Sequence, residues 1–187
     1  MTRHGSLRVG FKRLLGCLFL FVGVSSAQTD TNVVSIRIRD ACDPTTFNDA
    51  FGAGTCIAGQ HGTTKLQFFF DELAADQLVG AWRFNPLFRP QHVPAGQLTV
   101  VQNLGGETHT FTKVAKFGGG FVPLLNFLSG HPVPAPECLL PPSGTNIFVE
   151  AGTTETGPTA GTTELPTGTT HFQCCIHPWM RLNVVVP

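Results

Sequence analysis

The chain has 187 residues, its twelve Lys+Arg balanced by twelve Asp+Glu, and only 13% of it is charged. That length suits one domain with a real core and excludes two comfortable ones. A low, balanced charge offers no basic face, so nucleic-acid binding is excluded as well.

The first predicted element is a secretory signal over residues 1–27. Arg3, Arg8, Lys12 and Arg13 precede or open an apolar stretch from Leu14 to Val24, and Ser25-Ser26-Ala27 offers small residues for cleavage near Ala27. The stretch falls short of the roughly 20 residues that a membrane span needs, which favours cleavage over an uncleaved anchor. Leu14-Leu15-Gly16-Cys17 resembles a lipoprotein box only superficially, because the apolar run follows Cys17 instead of preceding it. Cleavage removes four basic residues and no acidic ones, leaving eight against twelve, a formal charge of −4 over residues 28–187. No downstream segment is expected to span a membrane. The expected location is secreted or periplasmic, an oxidising compartment where disulfides persist. Five cysteines remain there (Cys42, Cys56, Cys138, Cys174 and Cys175), an odd number that leaves one thiol needing a purpose.

Residues 28–80 read as an N-terminal extension with some helix. Val34, Ile36 and Ile38 alternate with polar residues, as in a half-buried strand. Asp43-Pro44 suits the cap and first position of a short helix ending before Gly52. Cys42 and Cys56 bracket that helix, and a disulfide between them would be worth about 3 kcal/mol. From Thr64 to Val79, Leu66, Phe69, Phe70, Leu73 and Gln77 follow helical spacing, with Gly80 as the stop.

From Ala81 onward short strands and turns take over, around Trp82–Phe84, His92–Pro94, Leu98–Gln102, Phe111–Val114 and Ile147–Glu150. This pattern predicts a mainly β domain over residues 81–187, built as a Greek-key β-sandwich. Gly-Thr-Thr recurs at 152, 161 and 168, and the stretch 151–170 reads either as an exposed hairpin or elongated loop, or as a low-complexity insert. Phe117-Gly118-Gly119-Gly120-Phe121 lacks the Lys-Ser/Thr of a phosphate loop and is expected to form a flexible turn near the site.

The chemistry lies at the end of the chain, in Cys174-Cys175-Ile176-His177-Pro178-Trp179-Met180. Cys174, His177 and Met180 stand three apart, and His109 offers a second imidazole upstream. Cys and Met are also ordinary core residues. Thiolate, two imidazoles and a weak axial thioether are nevertheless the ligand set of a blue-copper centre, and methionine argues against zinc. Pro178 stiffens the loop and Trp179 shields the centre. The remaining histidines (His61, His92, His131 and His171) are expected at the surface or in hydrogen bonds. No hydrolase or metalloprotease motif is present.

The string Cys174-x-x-His177-Pro178-Trp179-Met180-Arg181-x-x-Val184-Val185-Val186 resembles the cupredoxin family, its ligand loop being nearest the amicyanin and plastocyanin-like type. Val100-Val101-Gln102-Asn103 with His109-Thr110-Phe111 resembles the strand and turn that carry the family's first histidine. The resemblance covers roughly residues 81–187 and implies one type 1 copper ion held by His109, Cys174, His177 and Met180. It also implies single-electron transfer with unidentified redox proteins as partners, no enzymatic reaction of its own, and a monomer. Copper storage, delivery or sensing is the alternative. By family analogy, the ring edge of His177 would emerge through an apolar patch and pass electrons to a partner. Thr110 stands where the family often has asparagine. Spacing assigns Cys174 as the ligand, and strand alternation turns Cys175 to the opposite face. A Cys138–Cys175 disulfide would then pin the ligand strand from outside, whereas a vicinal Cys174–Cys175 bridge would destroy the site.

Overall fold

The computed structural model describes residues 34–57, 63–85, 89–97, 99–139, 146–156 and 165–187. The predicted signal segment, His61 and Leu98 lie outside the described residues. Among the described residues no helix is long and apolar enough to cross a membrane.

Two mixed sheets enclose the core. The first has the order β2 (Arg83–Asn85), β1 (Val34–Arg39), β4 (Thr99–Asn103) and β7 (Thr154–Thr156). The second runs β3 (Gln91–His92), β9 (Arg181–Val186), β8 (Gly168–Gln173), β5 (His109–Val114) and β6 (Asn146–Val149). The pairs β1–β4 and β3–β9 are parallel, and every other pair is antiparallel. Alternation delivers the inward face of each strand, as expected for sheets packed on one side. Ile36, Ile38 and Val101 from the first sheet meet Phe111, Phe172, Val184 and Val186 from the second. Phe84 and Phe111 cross the interface edge to face at 5.4 Å.

Residues before position 80 contribute directly to this sandwich, since β1 is an inner strand hydrogen-bonded to both β2 and β4. The helix α1 (Pro44–Phe51) begins as its sequence dictates: the Asp43 side chain accepts from the Thr45 and Thr46 N–H groups. The second helix, α2 (Leu66–Asp76), buries Phe69 and Leu73. It stops earlier than Gly80, because Gln77 takes the left-handed conformation (φ 59°) and its N–H closes on the Leu73 carbonyl. Two short helices, α3 (Pro123–Leu128) and α4 (Pro136–Leu139), form among the proline-rich turns, where the sequence pattern predicts none. Within 151–170, β7 pairs with β4 in one sheet and β8 with β5 and β9 in the other, and residues 157–164 lie outside the described residues.

Two disulfides are present among the described residues. Cys42 joins Cys56, tying the end of β1 to the loop after α1, and Cys138 joins Cys175. Replacing both Cys42 and Cys56 by serine is expected to lower the free energy of unfolding by about 3 kcal/mol, the loop-closure entropy of a fourteen-residue separation. Urea denaturation of the double variant checks this; an unchanged midpoint would show that the loop is already held by its other contacts.

Candidate metal centre

β8 ends at Gln173 and β9 begins at Arg181, so residues 174–180 form the loop between two neighbouring antiparallel strands. Its ends are closed by the Cys174 N–H donating to the Met180 carbonyl at 3.0 Å, and the Met180 N–H donates to the His177 carbonyl at 2.9 Å. Alternation separates the adjacent cysteines. Cys174 enters the main core beside Phe172 and Met180, while Cys175 joins Val114, Ala135 and Cys138 in a separate outer cluster. Among the described residues Cys174 is the one free thiol.

His109 opens β5, which pairs with β8, and so arrives at the same end of the sandwich. The Nδ1 atoms of His109 and His177 each lie 3.8 Å from Cys174 Sγ, and one donor atom from each of the three residues falls within 4.8 Å of the others. Metal bonds of roughly 2.0 Å to nitrogen and 2.3 Å to sulfur, at tetrahedral to trigonal angles, put N and S about 3.5–3.8 Å apart. The three donors therefore stand at metal-binding separation, and all three side chains are buried. Met180, which closes the same loop, is also buried in the main core.

The environment favours a thiolate. Burial raises the cost of ionising Cys174, but hydrogen bonds and charge from His109 and His177 outweigh it and pull the thiol well below its usual value. The Thr110 and His177 N–H groups also donate to Sγ, at 3.4 and 3.5 Å. Thr110 thus reaches the sulfur through its backbone, while its hydroxyl accepts from the Cys175 N–H at 2.7 Å and fixes the ligand strand. The Gly-rich segment is packed, not flexible: Gly119 and Gly120 are buried. A Cβ on Gly120 would collide with the Cys175 carbonyl, so only glycine allows that approach.

Sequence reasoning missed two buried carboxylates. Asp40, just after β1, lies 2.8 Å from His109 Nε2 and accepts from the N–H groups of Gly106 (2.8 Å) and Glu107 (3.2 Å). Burial pushes the Asp40 carboxyl up, but His109 and those N–H groups prevail and hold it below its usual value. Burial likewise opposes protonation of His109, yet Asp40 and Cys174 push it up to about 10. Glu107 accepts from Trp82 Nε1 at 2.5 Å, and its Oε2 stands 3.6 Å from His177 Nε2. No spacing marked Asp40 or Glu107 in advance, because both reach the site through folding alone. Asp40, Glu107 and Cys42 also form a cluster, but the Cys42 sulfur is committed to its disulfide.

The ring edge of His177 does not emerge at the surface, contrary to expectation: the residue is 3% exposed. Aromatic side chains from before β2 and from its own loop cover it. Phe69 and Trp82 each lie 6.4 Å from its ring, Trp179 lies 5.4 Å away, and Phe47 stacks on Trp82. An apolar cavity of about 230 Å³, lined partly by Phe47, Phe51, Phe69 and Phe70, reaches His177 and Glu107.

These ionisations give the metal-free protein a defined pH profile. His109, raised in the fold, contributes stability that is complete below 6.5 and lost as pH climbs through about 10; Cys174, lowered, contributes stability that is complete above 9.0 and lost as pH falls. Between 6.5 and 9.0 the two slopes cancel, because forming the pair moves one proton internally. Above 9.0 only the loss remains. The unfolding free energy of the metal-free wild type should therefore fall from pH 9 to 10. A steady rise across that range would contradict the assignment.

Two packed mixed sheets, with the β8–β9 loop and His109 at one end, form a cupredoxin-like β-sandwich. Solved structures similar to the chain include a purple cupredoxin from Nitrosopumilus maritimus, at 13% identity and TM-score 0.38, covering 82% of this chain and 99% of that one. A reduced amicyanin variant matches at 19% identity and TM-score 0.32, over 52% of this chain and 69% of that one. Oxidised plastocyanin from Dryopteris crassirhizoma matches at 14% identity and TM-score 0.28, over 57% and 89%. No protein-family model and no curated protein sequence matches the chain.

Proposed function

We propose that the protein binds one copper ion through His109, Cys174, His177 and Met180 as a type 1 centre and carries single electrons between redox partners outside the cytoplasm. The observation that carries this reading is the buried triad of one cysteine sulfur and two imidazole nitrogens at metal-binding separation. Bound copper would supply the chemistry, alternating between Cu(II) and Cu(I). The chain's part is to present soft and borderline donors acceptable to both states. It also keeps water out and holds the ligands in strands and a closed loop that resist rearrangement.

Burial of all four ligand side chains favours a resident ion over storage or delivery, which would require the ion to leave. The four ligands leave no reaction of its own to assign, so the protein is read as a carrier and not an enzyme. A single copper, a monomer, protein redox partners and export after cleavage near Ala27 belong to the same proposal. Adding Cu(II) to purified metal-free protein should produce an intense visible thiolate-to-copper band at one equivalent. A protein that stays colourless sinks the reading.

A further inference from the structure

We propose that Asp40 and Glu107 are paired positioning residues, each facing the outer nitrogen of one ligand histidine so that both rings turn Nδ1 toward Cys174. The inference rests on the copper reading only for the identity of the ion.

The geometry is parallel at the two histidines. His109 directs Nδ1 at the Cys174 sulfur, 3.8 Å away, and Nε2 at Asp40, 2.8 Å away. His177 directs Nδ1 at the same sulfur, also at 3.8 Å, and Nε2 at Glu107, 3.6 Å away. An imidazole whose outer N–H is held by a carboxylate is fixed in tautomer and ring orientation, and its metal-facing nitrogen becomes more basic. At 3.6 Å the Glu107 contact is longer than a hydrogen bond. It acts as charge placed opposite Nε2, and Trp82 keeps the carboxylate there.

Both carboxylates are themselves held. The loop between β4 and β5 wraps Asp40 so closely that a Cβ on Gly105 would collide with its Oδ2, while Gly106 donates to Oδ1. Asn103 braces the same loop, accepting from the Gly105 N–H and donating to the Glu107 and Val149 carbonyls. Asp40 comes from the end of β1, beside the Cys42–Cys56 disulfide, and Trp82 comes from the residue before β2. The stretch before residue 85 thereby brings in the carboxylate that orients His109 and the indole that orients Glu107.

The test uses ring N–H exchange of the two histidines in the metal-free full-length protein, read by NMR, with copper affinity measured separately. In Glu107→Leu, exchange at His177 Nε2 should accelerate about tenfold or more while His109 is unchanged, and Glu107→Gln, which keeps the size but removes the charge, should accelerate it as well. In Asp40→Asn the His109 signal should respond and the His177 signal stay. Copper affinity should fall about 10- to 100-fold in Glu107→Leu, in line with loss of a ligand's outer partner. Unchanged exchange in Glu107→Leu means that burial alone protects the ring, and overturns the proposal for Glu107. Equal acceleration at both histidines, or no response to Asp40→Asn, overturns the pairing. Wild-type protein with protected N–H groups but no copper band would defeat the copper reading and leave the positioning role standing.

Discussion

Cys174→Ser is expected to remove the visible band of the copper-loaded protein completely, whereas Cys138→Ser/Cys175→Ser should keep it. The two adjacent thiols differ because of the faces they occupy. The sulfur of Cys174 lies in the main core between two imidazoles; that of Cys175 is bonded to Cys138 in the outer cluster. Serine at 174 keeps the size but loses the soft anionic donor that both gives the band and suits Cu(I). The double variant loses the closure of a 37-residue separation, about 4 kcal/mol of stability, yet leaves every proposed ligand in place. Spectra on the folded fraction of each variant, with denaturation curves alongside, check both halves. A coloured Cys174→Ser protein would move the ligand assignment elsewhere.

Phe69→Ala should be the most destabilising single truncation in the aromatic cover, costing about 3–5 kcal/mol and lowering the melting temperature by roughly 10 °C or more. Phe69 is 3% exposed and sits at the centre of the cluster, 4.8 Å from Trp82, 5.7 Å from Phe47 and 5.8 Å from Trp179. The neighbouring Phe68 is 64% exposed, so Phe68→Ala should change stability by no more than about 0.5 kcal/mol. Because Phe69 also screens His177, its truncation should speed reduction of the copper-loaded protein by a small soluble reductant. Calorimetry and stopped-flow reduction of the two variants separate these effects. If both lose stability equally, the helix α2 face has been misassigned.

How far the sequence could be read depended on the range of the interactions. Period-two alternation identified β1 through Val34, Ile36 and Ile38, and Asp43-Pro44 marked the start of α1, because both signals depend on neighbours in the chain. The helix over residues 66–76 was legible from its apolar stripe, but its end was not. Gln77 adopts a left-handed conformation that glycine usually supplies, and the Gly80 at hand is not used to stop it. The α3 and α4 turns were hidden because so few residues each carry little periodicity.

By itself the sequence determined the loop between β8 and β9. Cys174, His177 and Met180 are close in the chain, their spacing is matched to a tight turn between two strands, and alternation alone sends Cys174 inward and Cys175 outward. Tertiary structure decided what surrounds them. Strand pairing between β5 and β8 brings His109 to Cys174 across 65 residues, and Asp40 reaches His109 across 69. The cover over His177 was likewise decided only there, because Phe69 and Trp82, backed by Phe47, reach it from segments whose sequence patterns specify only a helix face or a strand. A local pattern sets which way a side chain points along its own element; which distant group it then meets depends on how the elements pack.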